Sequence, residues 1–121
     1  MAGLFNRYND LRDRTPGAFQ ALKYCIRHNV CISGQCVKWL VENHPELIVD
    51  EVYDDFEGRS RWFIAKAYIL NIDDEWYRCW EEVGLTENQP NEWLDQTLEK
   101  VVQKEITVTA WITEEEEFFY D

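Results

Sequence analysis

Residues 47–72 read LIVDEVYDDFEGRSRWFIAKAYILNI. Leu47, Val49 and Glu51 alternate with Ile48, Asp50 and Val52, which is the period of two expected of a strand. Gly58 and Arg59 sit in a polar turn. Beyond it, Trp62, Phe63, Ile64, Tyr68, Ile69 and Ile72 are aromatic or β-branched, types that suit a pleated, half-buried surface. The stretch predicts a β-hairpin with arms at about 47–56 and 60–71. Phe63, Ala67 and Leu70 also fit the spacing of a buried helix, which periodicity alone does not exclude.

Upstream the texture is helical. Leu4, Phe5, Tyr8 and Leu11 predict a first helix over residues 3–13. Thr15-Pro16 reads as an N-cap and first helical position, followed by Phe19, Leu22, Cys25 and Ile26 on one face, with Asn29 as a stop. Ser33 is a good N-cap for a helix carrying Cys36, Val37, Leu40 and Val41. His44-Pro45 ends that helix, because the residue before proline avoids the helical region; His44 also suits the negative end of the helix dipole.

Downstream, Asp73-Asp74-Glu75 looks like an acidic first turn of a helix with Trp76, Trp80 and Val83 on one face and Gly84 beyond its end. Asn91 could cap a further helix presenting Trp93, Leu94, Leu98, Val101 and Val102. Residues 106–112, ITVTAWI, form the clearest strand pattern in the chain. The expected fold class is α+β: a single compact domain over 1–121, about four helices and a small antiparallel sheet made of the 47–71 hairpin plus strand 106–112. A length of 121 residues fits one domain with its own core.

Charge is distributed unevenly. Residues 1–44, the helical part, carry a net of +3, and residues 45–121, the mixed α/β part, a net of −15, for −12 overall. The acidic part also holds five of the six tryptophans, so it is not a disordered acidic tail, which would be poor in aromatics. A charge of −12 repels nucleic acid and anionic membranes and favours encounter with basic protein surfaces. The helix–connection–helix–hairpin order of residues 16–71 has the outline of a winged helix-turn-helix. Its would-be recognition helix sets only Lys38 against Glu42, and its would-be wing is acidic, so phosphate binding is not expected.

The chemistry-bearing clusters are few. Cys25, His28, Cys31 and Cys36 supply ligand types that zinc accepts, at a spacing that matches no familiar zinc pattern; small buried hydrophobes are the simpler reading. With no secretory signal, reduced thiols are expected. There is no phosphate loop, nucleophile elbow or metalloprotease helix. Adjacent acids on a strand point to opposite faces and make no catalytic dyad. No enzyme activity and no cofactor are expected.

What remains is acid interleaved with aromatics. Asp50, Glu51, Asp54, Asp55 and Glu57 surround Tyr53 and Phe56; Asp73, Asp74 and Glu75 precede Trp76; Glu114, Glu115, Glu116 and Glu117 precede Phe118, Phe119 and Tyr120. Carboxylates can stand in for phosphates toward the Arg and Lys of a nucleic-acid-binding groove. These residues lead to the expectation of a non-catalytic, acidic protein-binding inhibitor. Its sharpest form is a nucleic-acid mimic occluding a basic site of a host or phage-defence protein, of the anti-restriction or anti-CRISPR kind. An immunity protein neutralising a basic toxin is the first alternative. A small zinc-binding protein, or a structural or assembly protein dimerising through the 106–112 strand, is the other. The expected setting is the cytoplasm, that of the host cell if the protein is viral, with no membrane and no direct nucleic-acid contact.

Overall fold

The computed structural model describes residues 3–54, 63–85 and 88–105. Among these, three α-helices precede the sheet: α1 (Tyr8–Arg12), α2 (Ala18–Arg27) and α3 (Gly34–Asn43). A short 3-10 turn, Pro45–Leu47, leads into four strands, β1 (Ile48–Asp54), β2 (Phe63–Ile72), β3 (Glu75–Gly84) and β4 (Glu99–Val101). The strands pair antiparallel in the order β1-β2-β3-β4.

The helices form where their apolar faces and caps dictate. Ala18, Leu22 and Ile26 are buried on α2 at i, i+4, i+8, one stripe of a helix. Gly17 caps α2 with φ 83°, so the helix starts two residues later than Thr15-Pro16 implied. Ser33 caps α3 as expected, its hydroxyl accepting from the Cys36 N–H at 3.3 Å. Helix α1 is shorter than predicted, because Phe5 is drawn out of it. The Phe5 N–H donates to Cys31 O, and the Ser33 N–H donates to Phe5 O, both at 2.8 Å.

The 47–71 hairpin is present as β1 and β2. The helix expected over residues 73–83 is instead strand β3. Asp73 and Asp74 adopt positive φ (52° and 68°) and form a two-residue turn, as a tight hairpin requires. Along β3, Tyr77, Cys79 and Glu81 are buried while Trp76, Arg78 and Trp80 alternate with them on the other face. The helix expected after Asn91 is likewise absent. Residues 88–98 are irregular, with isolated bridges from Glu92 to Glu82 and from Gln96 to Ile32, and Leu98 alone among the expected facing residues is buried; Leu94 is half exposed and Val102 is 74% exposed. Three α-helices rather than about four are therefore described, and the 106–112 strand lies outside the described residues.

All three helices and the sheet share one core. Leu22, Ile26, Val37 and Leu40 from the helices pack with Tyr68, Leu70, Ile72, Tyr77 and Cys79 from the inner face of β2 and β3. Full burial of each such aliphatic side chain contributes roughly 2 kcal/mol.

The 88–98 segment ties this core to the sheet edge. Gln96 exchanges backbone hydrogen bonds with Ile32 at 2.7 and 2.9 Å, and its side-chain amide bonds both the N–H and the C=O of Trp80 at 2.8 Å. Asp95 accepts from the Gly34 N–H at 2.9 Å, capping α3 from outside. The segment lies so close that a Cβ on Gly34 would overlap the Trp93 carbonyl.

Candidate functional site on the outer face of the sheet

The helices cover one face of the sheet. On the other, the register aligns Val52, Ala67 and Trp80 in one row, and Asp50, Ile69, Arg78 and Glu99 in the next, with Asn71, Trp76 and Val101 beyond. Trp76, Arg78 and Trp80, at i, i+2, i+4 of β3, thus share this face. All three are half-buried.

Arg78 lies between the two tryptophans along β3 and is paired with Glu99. Its Nε and Nη2 donate to the two oxygens of Glu99 at 3.3 and 3.0 Å, and its guanidinium carbon lies 5.2 Å from the Trp80 ring centroid. The Trp80 Nε1–H also donates to Glu99, at 3.2 Å. Hydrogen bonds from Arg78 and then Trp80 hold the Glu99 carboxyl below the usual carboxylate range. The Arg78 charge is thereby neutralised, and its side chain forms a ridge between two hollows. One, of about 400 Å³, is lined by Val49, Ile69, Trp76, Val101 and Val102. The other, of about 320 Å³, is lined by Val52, Ala67 and Trp80. Val49 and Val52 are each about half exposed.

Asp50 and Glu82 lie on the same face, at opposite ends of it, and neither forms an ion pair among the described residues. With Glu99 and Arg78 these side chains sum to a net charge of −2, and Asp54 falls in the register row of Ala65 and Glu82. The face is an apolar, aromatic surface with an acidic rim, as binding surfaces with aromatic anchors are built.

The acids singled out from sequence are distributed differently from one another. Asp50 is on the outer face. Glu51 is turned to the inner side, where it pairs with Lys66 at 2.7 Å. Tyr53, beside it on β1, is 56% exposed, with Lys66 Nζ 5.3 Å from its ring. Asp73 and Asp74 form the β2–β3 turn at the Asp50 end of the sheet, and Asp73 pairs with Lys23 and Arg27 of α2. Glu75 accepts from Tyr77 at 2.6 Å and from Lys100 at 3.2 Å, which together lower its pKa. Asp54 ends β1 four residues beyond Asp50, about 13 Å along the strand toward the opposite end. Asp55, Phe56, Glu57 and Glu114 to Glu117 lie outside the described residues. Three of the predicted partner-binding acids, Glu51, Asp73 and Glu75, therefore already have cations of their own.

The cysteines do not gather. Cys36 and Cys79 are buried in the core, Cys25 and Cys31 are half-buried, and all four are free thiols. His28 packs against Tyr24, with ring centroids 4.0 Å apart and planes tilted by 34°. Among the described residues no group of three or more His, Cys, Asp and Glu side chains is placed to hold a metal ion. Burial pushes the Cys79 thiol up to about 12, far from the range of a reactive thiolate. Among the described residues no helix is long and apolar enough to cross a membrane.

Sequence reasoning placed Trp76 and Trp80 on the inward face of a helix, and it singled out neither Arg78 nor Glu99 nor the burial of Glu81. The signal was present in the alternation of residues 75–84, which becomes legible once Asp73-Asp74 is read as a turn. Comparison of the chain with protein-family models, with curated proteins and with solved structures finds no match.

Proposed function

We propose that this protein is a non-catalytic, acidic protein-binding inhibitor that occupies a basic protein surface, in its sharpest form the nucleic-acid-binding site of a host or defence protein. The observation that carries the reading is the outer face of the sheet, where Trp76 and Trp80 flank a charge-neutralised Arg78 inside an acidic rim. Toward a partner rich in Arg and Lys, indoles offer stacking and cation–π contacts. Asp50 and Glu82 offer carboxylates that have no ion pair among the described residues. The net charge of −12 adds steering toward a basic surface.

Tryptophans beside an arginine on a sheet also suit stacking on single-stranded bases. Phosphate binding needs uncompensated cations. Arg78 is already paired with Glu99, and its neighbours across the sheet are acidic or apolar, so this face favours protein over nucleic acid.

The test has two steps. Immobilised protein captures partners from a bacterial lysate at low salt, and they elute as salt rises. A purified partner is then loaded with labelled DNA and titrated with the protein. Stoichiometric displacement of DNA, weakening steeply with ionic strength, is the expected result. Simultaneous binding of DNA and protein would overturn the mimic form of the proposal, and affinity indifferent to salt would overturn its electrostatic basis.

A further inference from the structure

The inner side of the sheet holds a second cavity that the outer face does not use. It is about 390 Å³, and its lining includes Lys38 and Glu42 of α3, Lys66, Tyr68 and Glu81 of the sheet, and Asn91 and Trp93 of the 88–98 segment. That volume lies at the small end of the range for ligand pockets, roughly 300–1,000 Å³.

Glu81 is the unusual group. It is only 7% exposed, and it is the one buried carboxylate among the described residues. One of its oxygens accepts the Tyr68 hydroxyl at 2.8 Å. Among the described residues it forms no ion pair. Lys66, its cross-strand neighbour, is turned instead to Glu51 at 2.7 Å and lies over the Tyr53 and Tyr68 rings. Lys38 and Glu42, one turn apart on α3, bring one charge of each sign. Lys66 also lines the cavity but is paired with Glu51, and Lys38 is matched in charge by Glu42, so Glu81 is the carboxylate of the cavity left without an ion pair among the described residues. Burying a carboxylate without a countercharge is costly, and a cation supplied from outside removes that cost.

The walls select the kind of cation. Trp93 stacks on Tyr68 with centroids 5.5 Å apart and planes 25° from parallel, so the cavity is bounded by flat aromatic surface. A planar guanidinium stacks on such surface and donates two parallel hydrogen bonds to a carboxylate, which an ammonium cannot do. We infer that this cavity is a receptor for an arginine side chain, with Glu81 as the acceptor and Trp93 as the stacking wall. The inference deepens the preceding reading and rests on it for the identity of the arginine's owner, a basic partner protein anchored by one buried Arg.

The test uses a free arginine derivative, so it fails or succeeds separately from the reading of the outer face. N-acetyl-arginine amide is titrated into the isotope-labelled protein while the indole N–H resonances are followed by NMR. The expected result is a saturable, millimolar shift of the Trp93 indole, with Trp76 and Trp80 little changed. The neutral citrulline analogue should give no saturable shift. Glu81→Gln, which keeps an acceptor for Tyr68, should weaken the arginine derivative at least tenfold. Tyr68→Phe, which leaves the carboxylate without its donor, should retain binding or tighten it. An equal response to citrulline, an unchanged affinity in Glu81→Gln, or loss of binding in a folded Tyr68→Phe would each overturn the inference.

Discussion

The two faces of the sheet are made from the same strands, yet they serve opposite ends. On β2, Tyr68, Leu70 and Ile72 turn inward and are 7% exposed or less, while Ile69 and Asn71 between them turn outward. On β3, Tyr77 and Cys79 turn inward while Trp76, Arg78 and Trp80 turn outward. The inner face is closed by three helices and supplies stability. The outer face keeps two tryptophans and two half-exposed valines where no described element covers them. Large apolar side chains on a solvated face add little to folding and offer much to a partner. That difference underlies the proposal that a partner docks on the face that folding does not need.

The contrast is broken most directly by substitutions on adjacent rows. Leu70→Ala removes a fully buried side chain and should cost about 2–5 kcal/mol, whereas Val52→Ala on the outer face should stay within about 0.5 kcal/mol. Urea unfolding of the two variants measures both; equal costs would mean the outer face is packed like the inner one.

Gly34→Ala comes next. Its Cβ would run into the Trp93 carbonyl, and backbone cannot step aside as a flexible side chain can. The expected cost is about 1–3 kcal/mol, with the indole environment of Trp93 disturbed and that of Trp76 preserved, as near-UV spectra of single-Trp variants would report.

The inner face should also fail in alkali. Burial, then the bonds to Glu81 and to Glu75, pushes the pKa of Tyr68 and of Tyr77 up to about 12. In the unfolded chain they ionise near 10. Their contribution is fully present below pH ~10 and is lost as pH rises from ~10 to ~12, about 1–3 kcal/mol for each tyrosine. Denaturant midpoints across that interval should fall, and Tyr77→Phe should flatten the decline.

The smallest effect concerns the outer face. Glu99→Gln removes the bidentate partner of Arg78 and should cost only about 0.2–1 kcal/mol, because the pair is half exposed. The same stability is lost in the parent as pH falls through the lowered pKa of Glu99, under the usual carboxylate range. Its effect on binding should be larger than on stability, since an unpaired Arg78 repels a basic partner.

The parts of the fold that the sequence conveyed were those with an unambiguous period or cap: Leu22 and Ile26 on the inner face of α2, the Ser33 cap, and the alternation from Leu47 onward. Residues 73–84 were ambiguous for a definite reason. Trp76 and Trp80 are four apart, and a spacing of four falls on one side of a helix and on one side of a strand alike. Asp73-Asp74 suits the first turn of a helix and also the two central positions of a hairpin turn. Tyr77 and Cys79 were the deciding residues, because a helix would place Tyr77 and Cys79 off the tryptophan face without burying both in step with Leu70 and Ile72. Reading Trp76 and Trp80 as interior therefore hid the outer face. Glu81 was hidden with it, since its burial follows only from the strand register. The acids of residues 50–57 and 73–75 were visible as a cluster in sequence, but their ion pairs with Lys66, Lys23, Arg27 and Lys100 depend on contacts between distant elements.

The claim that function resides on the uncovered face is tested most directly by the double variant Trp76→Ser/Trp80→Ser. Its affinity for a captured basic partner is measured by titration calorimetry at low and at high salt beside the parent, and its urea midpoint is measured in parallel. The expected result is a loss of affinity of at least a hundredfold at both salts, with folding stability changed by no more than about 1–2 kcal/mol. Parental affinity in a folded double variant would contradict the account.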